Sequence, residues 1–164
     1  MVAEAVWVAL AAGLAVAIPG ICSAIGVGCA GVSASAVAAE DPKKAYKALL
    51  FVIMPGTQGI YGFVAGFLIV LTTGLAVSGG TLTLKSAIAS VPEIGLLIFM
   101  CSLPAILQGF TSILQGRTAS AAVSAFAKRP EVFAPGAMYV VSVELYAILG
   151  FLASILMLSL TGVL

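Results

Sequence analysis

The chain is divided into long apolar stretches separated by short segments that carry most of its charges. The apolar stretches run at about residues 5–39, 45–84, 94–127 and 132–164. Each is longer than the roughly 20 residues that a helix needs to cross a ~30 Å hydrocarbon core. A membrane barrel would need alternating segments of about ten residues, which the pattern lacks. The pattern therefore predicts an all-α membrane protein with four transmembrane helices.

Composition supports this prediction and excludes several classes of protein. Hydrophobic residues make up 62% of the chain and charged residues 8%, whereas an ordinary soluble domain has roughly 25% charged residues. This excludes a secreted enzyme, a disordered chain and a nucleic-acid binder, and the net charge of +1 suggests no nucleic-acid partner. The chain has no His, so imidazole chemistry is absent. Cys22, Cys29 and Cys101 fit no metal or redox spacing and are interpreted as packing residues.

The charged residues predict the orientation of the helices. The turns at 40–47 and 128–131 carry five basic residues, whereas the 78–93 connection carries only Lys85. The positive-inside rule places both basic turns in the cytoplasm and puts the termini and the 78–93 connection on the other side. A signal peptide begins with a basic segment, and none precedes residues 5–39. These residues are therefore predicted to be a permanent helix.

The two halves of the chain are related by a shift of 88 residues without a gap. In this register Pro42 meets Pro130, and Gly62 meets Gly150. Matching prolines within matching turns indicate a tandem duplication of a helical hairpin. The predicted organisation is a first helical hairpin at 1–77, a non-cytoplasmic connecting loop at 78–93 and a second helical hairpin at 94–164.

A glycine motif in the first helix invites a different interpretation. Residues 26–31 match GxGxxG, but a dinucleotide site needs this motif between a strand and a helix. No organic cofactor is therefore predicted. The small residues instead indicate that other helices approach the first helix closely.

Glu144 is the candidate functional residue with the clearest physical argument. It lies 14 residues after Pro130, about 21 Å along a helix and well inside the membrane. A carboxylate at that depth costs at least ~2.5–3.5 kcal/mol, and intramembrane ionisable residues are usually functional. The alternative is a buried, protonated Glu with a structural role.

Neutral polar residues are predicted at the same depth as Glu144. Gln115 lies 15 residues before the proline of the second turn, and Thr57 and Gln58 lie 15 and 16 residues after that of the first. If the turns are level, these side chains form one layer with Glu144. Tyr61 follows Gln58 by one helical turn and can face the same carboxylate.

The backbone is predicted to contribute oxygen to the same layer. Pro55 lies inside the second helix and leaves the Phe51 carbonyl without its helical partner. The loosened turn can offer a carbonyl oxygen to an ion. Gln108 lies about two turns from the layer, and Arg117 is not assigned to it.

A layer of one carboxylate and neutral oxygens suits a monovalent hard cation. Calcium recruits more carboxylates, and transition metals prefer His or Cys. Na⁺ is therefore favoured. A proton is the alternative. It needs only the carboxyl group and one acceptor, so the additional neutral oxygens would have no role in a proton site.

Three segments resemble a known family, the four-helix proteolipids of V-type ATPases. They are PGTQGIYGF at 55–63, LQG at 114–116 and VELYAILGF at 143–151. Within the family they are similar to the bacterial sodium-translocating rotor-ring subunits of the K or c type. The resemblance implies that Glu144 binds the ion and that Tyr61 hydrogen-bonds Glu144 and locks the occupied site. It implies ion-ligating oxygens from the side chains of Thr57, Gln58 and Gln115 and from the backbone carbonyl of Met54.

The resemblance also implies a function and partners. Identical copies would form a ring that carries Na⁺, or alternatively H⁺, across the membrane during ATP-driven rotation, without catalysing a reaction itself. Expected partners are membrane lipid, a stator subunit with an Arg opposite Glu144, and central-stalk subunits at the cytoplasmic turns. A bacterial cell membrane is the expected location. The alternatives are a stand-alone ion transporter or channel, which the parallel repeats disfavour, and a purely structural proteolipid.

Overall fold

The computed structural model describes residues 2–164. In this part of the chain, four helical segments are long and apolar enough to cross a membrane, judged by length and composition. They are called here the first to fourth spans: Val2–Glu40, Pro42–Thr73, Ile94–Lys128 and Pro130–Leu160. Large apolar side chains are exposed along their outer surfaces, as expected where lipid or another subunit covers them.

Three of the four spans contain 3₁₀ turns. In chain order the α-helices are α1 (Val2–Glu40), α2 (Pro42–Ile53), α3 (Thr57–Thr73), α4 (Ser86–Ala89), α5 (Ile94–Leu107), α6 (Thr111–Lys128) and α7 (Phe133–Leu160). The 3₁₀ turns are Met54–Gly56 in the second span, Gln108–Phe110 in the third and Pro130–Val132 at the start of the fourth.

Prolines account for the position of these turns. Pro55 lies within the 3₁₀ turn of the second span, where it has no N–H to continue the helical hydrogen bonds. Pro104 lies one turn before the 3₁₀ turn of the third span. Asp41 and Pro42 begin α2, and the Asp41 carboxylate accepts a bond from the Lys43 N–H at 3.1 Å.

The connection between the second and third spans contains a small β-hairpin. Strands β1 (Ala76–Ser78) and β2 (Thr81–Thr83) pair antiparallel. Gly79 and Gly80 join them with φ values of +56° and +79°, which glycine adopts without strain. The second span ends at Thr73. The apolar stretch predicted at residues 45–84 therefore includes both β-strands as well as most of this span.

Helix α1 lies at the centre of the helix packing. It packs against α3 of the second span and against α5 and α6 of the third, while α7 packs on α5 and α6. One of the closest helix contacts joins Gly26 of α1 and Gly116 of α6, since a Cβ atom on Gly116 would overlap the Gly26 backbone. This contact is at the depth of the candidate site, so it fixes the distance between α1 and the helix that carries Gln115.

Apolar clusters pack on both sides of this depth. Toward the basic turns, Phe51, Phe126 and Phe133 pack with ring centroids 5.2–6.5 Å apart. Toward the β-hairpin, Val8, Ile69, Ile98 and Leu158 belong to a second cluster. The polar layer between them is therefore held by two rigid apolar regions.

Candidate functional site

The structure brings all the sequence-predicted site residues into one cluster around Glu144. The Glu144 side chain is 8% exposed, and Gln58 and Gln115 are fully buried. The Thr57 hydroxyl oxygen lies 2.7 and 2.8 Å from the two Glu144 carboxylate oxygens. The Tyr61 hydroxyl donates to Glu144 Oε1 at 2.7 Å. The carboxylate is thus surrounded by groups from the second and third spans.

The two glutamine side chains connect these spans to each other and to the carboxylate. Gln58 Nε2 donates to Gln115 Oε1 at 2.7 Å and approaches Glu144 Oε2 at 3.3 Å. Gln115 Nε2 donates to Glu144 Oε2 at 2.8 Å and to the Val140 carbonyl at 3.0 Å. Gln115 therefore turns its amino group to Glu144, whereas the resemblance implied that its side-chain oxygen ligates the ion. Rotation of an amide by half a turn exchanges the two atoms.

Thr57 stands where several acceptor oxygens converge. Its hydroxyl oxygen lies within 3.4 Å of Glu144 Oε1, Glu144 Oε2, the Met54 carbonyl and Gln58 Oε1. A hydroxyl has one proton to donate, so it can satisfy one of these four oxygens at a time. Other donors also reach three of these oxygens, because Tyr61 bonds Glu144 Oε1, the glutamine amides bond Glu144 Oε2, and the Thr57 N–H bonds the Met54 carbonyl. The convergence of oxygens, from one carboxylate and from neutral groups, is the feature that suits a hard cation.

The 3₁₀ turn of the second span places these oxygens. The Met54 carbonyl accepts the Thr57 hydroxyl at 2.8 Å, and the Pro55 carbonyl accepts the Ser112 hydroxyl. The Gly59 N–H donates to Ser23 Oγ at 2.8 Å, although in a regular helix its acceptor would be the Pro55 carbonyl. Two serines from α1 and α6 thus stabilise the interrupted backbone.

The role of these two serines was not predicted from the sequence. Ser112 lies three residues before Gln115 and is fully buried, so the helical spacing was a usable signal that it faces the same neighbour. In the sequence, Ser23 is only one of the small residues of the first helix. Its hydroxyl gives it a specific hydrogen bond as well.

Tyr61 covers the outward side of the carboxylate. Its ring stacks on Phe151 with centroids 5.5 Å apart and an angle of 23° between the planes. Ile60, Leu145 and Tyr146 next to it are between 57% and 69% exposed. The nearly buried carboxylate is therefore bonded by a tyrosine whose neighbours form an exposed apolar surface.

Two further polar residues were not predicted to belong to the layer. Gln108 reaches the main chain of Gln58, because its Nε2 donates to the Gln58 carbonyl at 3.1 Å. Arg117 is exposed and makes no salt bridge within residues 2–164. Within the same residues no cluster of three or more His, Cys, Asp or Glu side chains is found. Glu144 is thus the only carboxylate that contacts the layer in the part of the chain that the structure describes.

Comparison with known proteins identifies the family. The family model for the C subunit of ATP synthase matches residues 10–69 and again 97–157. The two matched segments are offset by 87 residues at their starts and 88 at their ends, in agreement with the predicted duplication.

Two curated relatives match most of the chain. One is the V-type sodium ATPase subunit K of Enterococcus hirae, 39% identical over 93% of this chain and 90% of its own length. Another is the A-type ATP synthase subunit K of Methanocaldococcus jannaschii, 38% identical over 92% of this chain. The chain spans only 60% of the second relative's length.

These matches confirm the resemblance seen in the sequence and the prediction of an all-α protein with four membrane-spanning helices. They also disfavour a stand-alone transporter or channel. The chain belongs to the family of the ATP synthase C subunit, and it is an integral membrane, non-catalytic rotor protein that assembles into a ring within a V- or A-type ATPase.

Proposed function

We propose that each copy of the chain binds one Na⁺ at Glu144 and carries it across the membrane as the ring rotates. The observation that carries this proposal is the group of four acceptor oxygens around the single Thr57 hydroxyl. A cation can be coordinated by several of these oxygens together, whereas a proton binds to one. The name of the Enterococcus hirae relative, a sodium ATPase subunit, supports the same choice of ion.

The proposed ligands combine one charge with neutral oxygens. Glu144 supplies the carboxylate, Thr57 and Gln58 supply side-chain oxygens, and Met54 supplies its carbonyl. Gln115 supplies its oxygen after rotation of its amide. One carboxylate balances one monovalent charge, which distinguishes this set from a calcium site.

Neutralisation of Glu144 explains how the ring turns. With Na⁺ bound the site has no net charge and can pass through lipid, whereas an ionised empty carboxylate is costly there. The empty site therefore stays opposite a compensating charge, which we assign to an Arg of the stator subunit. Tyr61 locks the occupied site through its bond to Glu144. Transport of one charge against 100 mV requires ~2.3 kcal/mol, which ATP-driven rotation supplies.

The rest of the chain fits this mechanism. We assign residues 1–77 and 94–164 to two helical hairpins and residues 78–93 to the non-cytoplasmic connection. The basic turns then face the cytoplasm and contact central-stalk subunits. A bacterial cell membrane is the location that the Enterococcus hirae relative favours.

Labelling with a hydrophobic carbodiimide tests the proposal, because the reagent modifies protonated carboxyl groups. Membranes that contain the ring are treated at constant pH with increasing NaCl, with KCl replacing NaCl at constant ionic strength. We expect labelling at Glu144, protection by Na⁺ and not by K⁺, and no label in Glu144→Gln. If Na⁺ gives no protection and only the pH changes the labelling, the ring carries protons instead.

A further inference from the structure

Gln108 is a buried amide that the ion layer does not include. It lies at the start of the 3₁₀ turn of the third span and is 5% exposed. Its Nε2 donates to two main-chain carbonyls, of Gln58 and Ala105, each at 3.1 Å. Its Oε1 is buried and has no hydrogen-bond partner within residues 2–164.

This arrangement is costly for folding alone. A buried acceptor without a partner destabilises the protein, whereas an apolar side chain of the same size would fill the space without that cost. The bond to Ala105 stays within the third span. The bond to Gln58 is therefore the contact that distinguishes Gln108 from an apolar residue in its effect on other spans.

Gln58 is the residue through which Gln108 can act. Its main-chain carbonyl accepts from Gln108, while its side chain bonds Gln115 and approaches Glu144. It is the second residue of α3, which begins directly after the 3₁₀ turn. The next N–H, of Gly59, bonds Ser23 and not the helix backbone. A bond from the third span restrains the backbone at this point.

The neighbouring residues make room for this contact. Gly150 faces Gln108, and a Cβ atom on Gly150 would lie 2.8 Å from Gln108 Cβ. Gly109 lies against Pro19 of α1, and a Cβ atom on Gly109 would lie 2.6 Å from the Pro19 Cα. The third span is thus packed tightly between α1 and α7 at Gln108. The Gln108 amide therefore has little freedom to move away from Gln58.

We propose that Gln108 is a positioning residue for the ion site, acting through the main chain of Gln58. It does not contact the ion. It fixes the start of α3 so that the Gln58 amide is aligned with Gln115 and Glu144 before the ion arrives, which raises affinity by reducing the ordering required on binding. This inference rests on the proposed function.

The test replaces the amide with a side chain of similar shape. In Gln108→Met, the Na⁺ concentration that half-protects Glu144 from the carbodiimide should rise roughly three- to tenfold, as expected for one lost hydrogen bond. The control is Ser102→Ala, which removes a fully buried hydroxyl from the same span. Ser102 bonds only the Phe99 carbonyl of its own helix, so the half-protection concentration should not change.

A double mutant separates positioning from general packing. If Gln108 acts through Gln58, then Gln108→Met should have no further effect in a Gln58→Met background. An unchanged half-protection concentration in Gln108→Met, or an equal shift in both backgrounds, would overturn the inference. If Gln108→Met does not assemble, Gln108→Asn, whose amide is one methylene too short to reach Gln58, takes its place. Failure of both to assemble would assign the amide to folding and also overturn the inference.

The outcomes keep this inference distinct from the proposed function. If Na⁺ does not protect the unmodified ring, the sodium proposal is wrong. The single and double mutants would then be compared by the pH at which labelling is half-maximal. Normal Na⁺ protection with no effect of Gln108→Met would remove only the role of Gln108.

Discussion

Glu144 is stabilised at membrane depth by its neighbours in the chain. Thr57, Tyr61, Gln58 and Gln115 all place polar hydrogens toward its two oxygens. Bonds to a charged acceptor are stronger than those between neutral groups, and at a buried site they are stronger again. These bonds stabilise the carboxylate inside the span. Substitution of any of these neighbours is therefore expected to change the affinity of Glu144 for the ion.

Gln115 should be essential for tight ion binding. Gln115→Leu removes the bonds to Glu144 and Val140 and leaves Gln58 Nε2 with only its 3.3 Å contact to Glu144 Oε2. We expect the Na⁺ concentration that half-protects Glu144 from the carbodiimide to rise at least roughly tenfold, because more than one buried hydrogen bond is lost.

Thr118→Val is the matched control for Gln115→Leu. Thr118 lies on the same helix and bonds only the Leu114 carbonyl at 3.1 Å. Its Na⁺ protection should match that of the unmodified chain. An unchanged affinity in Gln115→Leu would exclude Gln115 from the site.

Tyr61 should control ion exchange more than it controls folding. Tyr61→Phe removes the hydroxyl that donates to Glu144 Oε1 but retains the ring that stacks on Phe151. We expect ²²Na⁺ to leave the isolated ring several-fold faster, since one hydrogen bond contributes about 0.5–1.5 kcal/mol.

The chain supplies its own control for Tyr61. Tyr146 is 69% exposed and makes no side-chain hydrogen bond within residues 2–164, so Tyr146→Phe should leave the exchange rate unchanged. Equal rates in Tyr61→Phe and the unmodified ring would argue against a locking role for Tyr61.

The sequence was sufficient to place the residues of the layer and insufficient for their details. Thr57, Gln58, Gln115 and Glu144 could be assigned to one depth because a helix rises by a constant amount per residue. The orientation of the Gln115 amide depends on its partners, such as the Val140 carbonyl, which helical spacing does not reveal.

Gln108 shows the other limit of the same calculation. Counting residues places a Cα atom, but a long side chain beside a 3₁₀ turn reaches a different level. Gln108 therefore contacts Gln58 although it was counted as about two turns away.

At the scale of the helices, close approach depends on fewer glycines than the sequence suggests. Gly13, Gly20 and Gly28 have nothing within 4 Å of a Cβ atom in this chain, whereas Gly26 and Gly116 meet backbone to backbone. The sequence shows a small-residue stretch, but the direction of each glycine follows from how the spans pack. The irregular turn of the second span was anticipated from Pro55, whereas the 3₁₀ turn at Gln108–Phe110 was not, and Pro19 lies within α1 without interrupting it.

Gly116 should therefore be sensitive to the smallest possible substitution. In Gly116→Ala, the methyl group would overlap the Gly26 backbone, and the two spans must separate at the depth of the site. We expect a loss of about 1–3 kcal/mol in stability, measured as loss of helical circular dichroism of the detergent-solubilised chain with increasing denaturant.

Gly28→Ala is the control for this substitution. Nothing in the chain lies within 4 Å of the added methyl group, and alanine favours helix by about 1 kcal/mol over glycine. Its stability should be equal to or greater than that of the unmodified chain. A Gly116→Ala chain as stable as Gly28→Ala would show that the close approach is not required.

At the scale of the whole molecule, one hydrogen bond at each end of the bundle joins neighbouring spans. At one end, Lys44 donates to the Ala127 carbonyl at 2.8 Å and links the two basic turns. At the other, the Glu4 carboxylate accepts the Gly95 N–H at 2.7 Å and links the first span to the start of the third. Both basic turns therefore lie at one end of the chain, and the β-hairpin connection lies at the other.

This polarity gives a direct test of the predicted orientation. Single cysteines are introduced at two exposed positions, Ser78→Cys in the β-hairpin and Glu131→Cys in the second basic turn, after Cys22, Cys29 and Cys101 are replaced by Ala. The positive-inside rule places the basic turns in the cytoplasm. A membrane-impermeant maleimide should then label Ser78→Cys in intact cells and Glu131→Cys only in inverted vesicles. The reverse pattern would place the basic turns outside, away from the ATPase subunits that turn the ring.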